Sequence, residues 1–232
     1  MQAVILAGGF GTRLRPVVPD LPKALAKIGS RPFLKYQLAW LASYGTREVI
    51  LCLGYRSQAV LSYLSEVNTE GIQVISSIEQ EPLGTAGALK HAEHLLAERF
   101  LVVNGDTFVD VNLTALVEYH YRKVSFLTMV LANVEDATAY GQVKINNEGR
   151  VVSFQEKVPG RGQVNAGVYF MEKSVLRYIP PDQPYSMERE LLPKLLTRGE
   201  LVYGFVHEGY FIDIGTPLNY RRAQEELPGR FM

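Results

Sequence analysis

The chain has 232 residues, of which 47% are hydrophobic and 21% charged, so it is long enough for one substantial α/β core but not for a second full domain. Lysine plus arginine and aspartate plus glutamate both number 24, which excludes a strong overall attraction to nucleic acid or anionic lipid. No apolar run approaches the ~20 residues of a membrane span, and the N-terminus lacks a signal-peptide pattern. We therefore expect a cytoplasmic protein with small-molecule partners.

The first predicted strand, Ala3 to Leu6, leads into a glycine-rich loop that carries cations. The glycines and cations are Gly8, Gly9, Gly11, Arg13 and Lys23. Residues without a Cβ let backbone N–H groups converge on a phosphate, and the cations neutralise its charge. The spacing lacks the last glycine of a dinucleotide fingerprint and the Gly-Lys-Ser/Thr of a P-loop. The pattern predicts a polyphosphate site and disfavours a dehydrogenase or a P-loop NTPase.

The segment LAGGFGTRLRP, followed by Pro22 and Lys23, resembles the signature of the sugar-1-phosphate nucleotidylyltransferases, which join a nucleoside triphosphate to a sugar 1-phosphate. Within that family the sequence looks most like the guanylyltransferases that act on D-glycero-D-manno-heptose 1-phosphate or mannose 1-phosphate. The resemblance implies a product that is a precursor of lipopolysaccharide, capsule or S-layer glycans. It also implies that the loop holds the nucleotide through Leu6, Ala7, Gly8, Gly9, Gly11, Thr12 and Arg13.

Strands and helices alternate after the loop. The patterns predict a helix from Phe33 that stops at Gly45, a strand from Glu48 to Leu53, a helix through Val60 and a strand from Ile72 to Ile78. This order is typical of βαβ units, in which ligands bind at the carboxyl ends of parallel strands. Together with the resemblance, it predicts a Rossmann-like three-layer α/β nucleotidyltransferase fold with a mixed, mostly parallel central sheet.

An acidic loop comes next, before a helix predicted from Ala86 to Ala97. Its residues are Glu79, Gln80, Glu81, Pro82, Leu83, Gly84 and Thr85. The loop resembles the segment with which the family reads the nucleobase. An ionised carboxylate can only accept hydrogen bonds, so Glu79 or Glu81 would complement the adjacent N–H donors of guanine. Gln80 leaves uracil or thymine open, and acidic residues that are solvated or favour the helix dipole are a further alternative.

Two aspartates lie at the ends of apolar strands. Asp106 follows a buried strand and Gly105, and Asp213 lies between two isoleucines, where an acid needs a partner to stay ionised. Mg²⁺ prefers oxygen ligands and takes one or two carboxylates together with substrate oxygens and water. The resemblance implies that both aspartates hold Mg²⁺. A helix cap is the alternative for Asp106, but Asn112 already occupies that place before the next helix.

Shorter strands with turn residues follow Val124, and the resemblance implies that they form a small sugar-binding β subregion. The implied sugar-phosphate residues are Asn104, Gly141, Glu156, Lys157, Asn165 and Gly167. A surface ion pair is the alternative for Glu156 and Lys157. We therefore expect a single domain, 1–232, in which residues 1–123 mainly bind the nucleotide and residues 124–232 mainly bind the sugar phosphate.

Nucleotidyl transfer depends on positioning and charge neutralisation more than on a protein nucleophile. The resemblance implies catalytic roles for Arg13, Lys23, Asp106, Lys157 and Asp213. Other possibilities stay open: a thymidylyl- or uridylyltransferase that uses glucose 1-phosphate or an amino-sugar 1-phosphate, and a non-catalytic nucleotide-sugar sensor. A sensor would be expected to lose these acids or cations. A homodimer is a further possibility.

Overall fold

Strands and helices alternate along the first half of the chain, as the patterns predict. The computed structural model describes residues 1–156 and 159–230. Its strands are β1 (Gln2–Leu6), β2 (Lys27–Ile28), β3 (Arg31–Pro32), β4 (Glu48–Leu53), β5 (Gln73–Ile78), β6 (Arg99–Asn104), β7 (Thr107–Val109), β8 (Leu127–Val134), β9 (Gly141–Ile145), β10 (Val151–Glu156), β11 (Gly162–Glu172), β12 (Val202–His207) and β13 (Phe211–Asp213). Its α-helices are α1 (Phe33–Ser43), α2 (Ser57–Glu66), α3 (Gly84–His91), α4 (Leu113–Arg122), α5 (Leu192–Thr197) and α6 (Pro217–Glu226).

The central sheet has a parallel part and an antiparallel part. Strands β5, β4, β1 and β6 lie side by side and parallel. Strand β11 pairs antiparallel with β6 and with β8, while β12 pairs parallel with β8. The β9–β10 hairpin joins the sheet through the first half of β11. The predicted α/β fold with a mixed central sheet is confirmed.

Helices cover both faces of this sheet. In β1, Ala3 and Ile5 belong to the core on one face, which also contains residues of α1, α2, α4 and α6, whereas Val4 belongs to the core on the other face, with residues of α3 and α5. Central parallel strands are apolar on both faces because helices cover each of them. The three-layer arrangement follows from this alternation, and it leaves the carboxyl edge of the strands free for a site. None of the described helices is long and apolar enough to cross a membrane.

Helix ends show where local patterns suffice. The Asn112 side chain accepts a hydrogen bond from the Ala115 N–H at 3.0 Å, and so caps α4 as predicted. The helix predicted from Ala86 to Ala97 is too long, because α3 ends at His91. The Gln2 side chain donates to the Leu95 carbonyl and accepts from the Ala97 N–H, at 2.9 and 2.7 Å. This contact with β1 turns the chain toward β6, and no local pattern encodes it.

The segment from Ser186 to Leu196 starts with a wider helical turn. Residues Met187–Leu191 form one π-helical turn, in which the Leu191 N–H donates to the Ser186 carbonyl, and α5 follows. Pro193 is the second residue of α5, and because Leu191 and Leu192 before it are also helical, the proline lies within a continuous helical segment. The change of helix type thus comes just before the proline, which cannot donate the backbone hydrogen bond of a regular α-helix. This wider turn carries Glu188, a residue of the site described next.

Candidate active site

Two cavities meet at the carboxyl edge of the parallel strands. The first has a volume of about 370 Å³ and is lined by Leu6, Ala7, Gly8, Gly9, Phe10, Lys23, Ala24, Glu79, Pro82, Gly84, Thr85, Ala88, Asn104, Gly105 and Asp106. The second, of about 200 Å³, is lined by Arg13, Asn104, Asp106, Thr107, Ala139, Tyr140, Gly141, Asn165, Gly167, Glu188, Phe211 and Asp213. Asn104 and Asp106 belong to both walls. A molecule in one cavity therefore lies beside a molecule in the other.

The glycine loop forms the wall of the first cavity. The Ala7 N–H donates to the Cys52 carbonyl at 2.8 Å, and the Tyr55 N–H donates to the Gly8 carbonyl at 3.1 Å, so β4 and the segment after it hold the start of the loop. Gly11 has a φ of +64°, and a Cβ on it would lie 3.0 Å from Cγ of Lys23. The Lys23 side chain therefore runs along the loop, which requires glycine at this position.

Backbone pairing brings Asp106 and Asp213 together. In the small sheet of β7 and β13, Asp213 lies opposite Thr107, and the Ile214 N–H donates to the Asp106 carbonyl at 2.8 Å. Lys23 Nζ lies 2.7 Å from Oδ2 of Asp106. A Cβ on Gly215 would come within 2.7 Å of Asp213 Oδ1, 3.2 Å of a terminal nitrogen of Arg13 and 3.4 Å of Lys23 Nζ. Two acids and two bases thus meet where the cavities join.

Burial and the neighbouring Asp106 carboxylate raise the pKa of Asp213 from 3.8 to about 6. The Gly215 N–H, which donates to Asp213 Oδ1 at 2.6 Å, and the cations Lys23 and Arg13 act in the opposite direction on this pKa. The charged form of Asp213 therefore carries a free-energy cost in the folded protein. A cation between the two carboxylates would remove that cost.

A divalent ion fits this pair of acids. The described residues hold no group of three or more histidine, cysteine or acidic side chains with metal-binding geometry, so an all-protein metal cage is absent from them. Mg²⁺ seldom needs such a cage, because it binds through one or two carboxylates and completes its shell with phosphate oxygens and water. Asp106 and Asp213 supply that number of carboxylates beside a cavity large enough for a nucleotide.

The structure distinguishes the acidic residues of the loop before α3. Glu79 lines the first cavity, whereas Gln80 and Glu81 are exposed and lie outside both linings. A Cβ on Gly8 or Gly54 would lie 2.7 or 2.6 Å from Oε1 of Glu79, so both glycines make room for this carboxylate. Burial raises the pKa of Glu79, and the hydrogen bond that Oε2 accepts from the Leu83 N–H opposes only part of that rise. An acceptor is thus fixed in the cavity wall.

The predicted sugar-phosphate residues gather around the second cavity. The Asn165 Oδ1 accepts from the Gly167 N–H at 3.1 Å, and Gly167, with φ +70°, packs on the Asn104 side chain. A Cβ on Gly141 would collide with the ring of Phe154, so the hairpin itself requires glycine there. Of the predicted sugar-phosphate residues, Asn104, Gly141, Asn165 and Gly167 line this cavity.

Some predicted residues lie elsewhere. Gly11 and Thr12 belong to the loop but line neither cavity, and Arg13 faces the second cavity, which we expected to hold the sugar phosphate. The side chain of Glu156 and the whole of Lys157 lie outside the described residues. The expected roles of these two residues remain predictions.

Several residues that line the cavities were not among the predicted site residues, among them Phe10, Tyr140 and Glu188. Phe10 lines the first cavity, and its ring lies 5.6 Å from that of Tyr55. Tyr140 and Glu188 line the second. Phe10 lies inside the glycine-rich loop, so its place in the sequence could have pointed to the cavity. Glu188 looked like an ordinary acidic residue in a first helical turn, and nothing local pointed to a cavity.

Comparison with known proteins identifies the family. Residues 2–229 match the family described as "Nucleotidyl transferase". The chain belongs to the nucleotidyl transferase family. Members of this family generally use a divalent metal ion, which agrees with the paired aspartates at the junction of the cavities.

The most similar relatives of this nucleotidyl transferase include guanylyltransferases. It is 40% identical to the D-glycero-alpha-D-manno-heptose 1-phosphate guanylyltransferase of Aneurinibacillus thermoaerophilus, over 98% of each chain. It is 39% identical to the mannose-1-phosphate guanyltransferase of Emericella nidulans, over 95% of this chain but 62% of that longer protein. The structure of HddC from Yersinia pseudotuberculosis complexed with GMP-PN has a TM-score of 0.87 and 35% identity, covering 97% of this chain and 99% of that one.

The raised pKa of Asp213 predicts how one substitution changes stability with pH. Asn in place of Asp213 keeps the acceptor for the Gly215 N–H but cannot carry the charge. Above pH 6 the wild-type acid is charged in both the folded and the unfolded chain, and only the folded chain bears the cost, whereas far below 3.8 it is neutral in both. Without divalent ions, Asp213→Asn should therefore raise the melting temperature at about pH 8 and raise it less at about pH 4.5.

Thermal melting of the chelator-treated protein at both pH values tests this expectation. Asp182→Asn is a suitable control, because Asp182 is exposed and its left-handed backbone, with φ +54°, suits asparagine. A fall in the melting temperature of Asp213→Asn at the higher pH would show that the carboxylate is stabilised by its surroundings.

Proposed function

We propose that this nucleotidyl transferase joins GTP to heptose 1-phosphate or mannose 1-phosphate, and releases pyrophosphate and a GDP-sugar. The observation that carries the proposal is the pair of cavities that share Asn104 and Asp106, with Lys23 and Arg13 at their junction. Two substrates that must react with each other need two adjoining sites and positive charge between them. The names of the relatives point to the same reaction.

The first cavity suits a guanosine nucleotide. The glycine loop lines one side with backbone and with Lys23, which is the environment that a polyphosphate needs. Glu79 lies on the wall as a fixed acceptor, and guanine presents N1–H and N2–H₂ as adjacent donors. We therefore assign the base to the Glu79 side and the phosphates to the loop, with Leu6, Ala7, Pro82, Gly84 and Thr85 completing the nucleotide site.

The second cavity suits the sugar phosphate. Asn165, Asn104 and the backbone around Gly167 supply polar groups for hydroxyls, and Arg13 supplies a positive charge. We assign Glu156 to a sugar hydroxyl and Lys157 to the incoming phosphate. The proposed division of the chain, 1–123 for the nucleotide and 124–232 for the sugar phosphate, is then approximate. Asn104 and Asp106 line both cavities, and Arg13, from the first part of the chain, lines the second.

In the reaction, an oxygen of the sugar phosphate attacks the α-phosphorus of GTP, and the bond to the bridging β-oxygen breaks. The leaving pyrophosphate takes that electron pair, so no protein nucleophile is required. Lys23 neutralises charge that develops at the α-phosphate, and Arg13 lies at the junction to attract the phosphate oxygens. Mg²⁺, held by Asp106 and Asp213, would supply Lewis-acid neutralisation of the same charge.

We place the reaction in the cytoplasm, where nucleoside triphosphates and sugar phosphates are available, and its product among the precursors of surface glycans. A measurement of the protein's mass in solution distinguishes a monomer from a homodimer.

Pyrophosphate release provides the direct test. Purified protein with Mg²⁺ should release pyrophosphate fastest from GTP with heptose 1-phosphate or mannose 1-phosphate, when GTP, UTP, dTTP, CTP and ATP are each crossed with several sugar 1-phosphates. Mass spectrometry should identify the GDP-sugar. Best use of dTTP or UTP would overturn the guanine assignment, and pyrophosphate release without any sugar 1-phosphate would overturn the transfer.

Asp106→Asn should lower turnover by at least about 100-fold, because it removes the carboxylate that bonds Lys23 and would hold Mg²⁺, the two cations that neutralise charge at the α-phosphate. The measurement is kcat at saturating GTP and sugar 1-phosphate, with excess Mg²⁺. Asp20→Asn, at an exposed position, is the control for charge loss alone. Normal turnover of Asp106→Asn, or of the wild type in excess chelator, would contradict the proposed metal site.

Glu79→Gln should lower the ratio of kcat/KM for GTP to kcat/KM for UTP by about 10- to 100-fold, because a charge-assisted hydrogen bond worth roughly 1.5–3 kcal/mol is lost. Inosine triphosphate, which lacks the N2 amine of guanine, should fall between GTP and UTP with the wild type. The measurement is the ratio of kcat/KM values. Glu81→Gln is the comparison: a narrowed preference there instead would assign the base to Glu81.

A further inference from the structure

Three hydroxyl groups hold the carboxylate of Glu188. Thr85 Oγ1 and Ser186 Oγ donate to Oε2 at 3.1 and 3.2 Å, and the Tyr169 hydroxyl donates to Oε1 at 3.4 Å. The Tyr169 hydroxyl accepts in turn from Asn165 Nδ2 at 2.6 Å. These donors come from α3, from the start of the π-helical turn and from β11, so the carboxylate is fixed from three directions.

The helix does not need Glu188 for capping. Ser186 Oγ accepts from the Arg189 N–H at 3.2 Å, and Glu190 Oε2 accepts from the Ser186 N–H at 2.7 Å. These two bonds are reciprocal, as in a capping box, but with the glutamate four residues after the N-cap rather than three, and they satisfy backbone N–H groups at the start of the turn. Glu188 lies in the same turn but faces the second cavity, whereas Glu190 is exposed. A role for Glu188 must therefore be sought in the cavity.

A carboxylate has about four acceptor positions and no donor. Oε2 receives two of the described hydrogen bonds, whereas the described contact of Oε1 is the long one from Tyr169. The carboxylate therefore has acceptor capacity left, and a group that donates to it must be neutral or positive. A phosphate beside it would be repelled. In the same lining Arg13 supplies the positive charge that a phosphate prefers.

We propose that Glu188 is a specificity-determining residue of the second cavity, which accepts a hydrogen bond from a hydroxyl of the sugar. This inference rests on the proposed function and deepens it. The phosphate of the sugar 1-phosphate lies toward Arg13, and the hydroxyl-bearing side of the ring lies toward Glu188 and Asn165. Thr85, which lines the first cavity, holds the same carboxylate, so the wall of the nucleotide cavity also positions the sugar acceptor.

The test uses mannose 1-phosphate and the series of its analogues that each lack one hydroxyl. With the wild type, kcat/KM should fall about 10- to 100-fold for the analogue that lacks the hydroxyl bound by Glu188. In Glu188→Gln and Glu188→Ala this discrimination should shrink by about tenfold or more, while KM for GTP changes less than about twofold. Glu190→Gln, in the same helical turn, should keep the wild-type pattern.

Binding measured by calorimetry separates this inference from the proposed function. The same sugar phosphates are titrated into the wild type and the variants in the presence of a GTP analogue that cannot release pyrophosphate. If the discrimination shrinks in the Glu188 variants but no GDP-sugar ever forms, the transfer is wrong and the role of Glu188 stands. If every variant discriminates as the wild type does, or if Glu190→Gln loses discrimination equally, the inference about Glu188 is wrong.

Discussion

The site depends on two carboxylates that the backbone forces together. Asp106 and Asp213 would repel each other, yet the pairing of β7 with β13 leaves them side by side. Their surroundings compensate with Lys23, which bonds Asp106, and with Arg13 next to Gly215. Two carboxylates and two cations this close together are stable only because the strands hold them in place. A metal ion could neutralise the two carboxylates, and phosphate oxygens could neutralise the two cations, in place of these internal ion pairs.

Small residues make this arrangement possible. A Cβ on Gly105 would lie 2.6 Å from the Leu6 carbonyl, so only glycine lets the end of β6 pack against the end of β1. Asn104, just before it, lies between the two cavities with Oδ1 buried and without a hydrogen-bond partner among the described residues. A buried amide oxygen is costly to leave unsatisfied, which suggests that a ligand supplies the missing donor. The residues where the two cavities meet are therefore arranged to bind a ligand.

The two cavities are mechanically linked. Glu188 ties α3, which borders the first cavity, to β11, which borders the second, through hydroxyl donors on each side. Tyr185 strengthens the same contact, because its carbonyl accepts from the N–H groups of Ala86 and Gly87. Helix α3 and the Tyr185–Glu188 segment thus pack as one body. A change at the loop before α3 would reach the second cavity through this contact.

Much of the fold and part of the site follow from sequence alone, because the relevant signals are local. Alternating apolar strands and helices predicted the parallel sheet and, together with the family resemblance, the three-layer fold, and the glycine loop with Lys23 and the strand-end aspartates marked the site edge. The tertiary structure alone decided which side chains face the cavities. Glu79 and Glu81 are two residues apart with similar chemistry, but only Glu79 faces inward, and Glu188 enters the site from a segment about 100 residues away. The path of the loop after β5 and the phase of the π-helical turn set these directions, and the local pattern of apolar residues encodes neither.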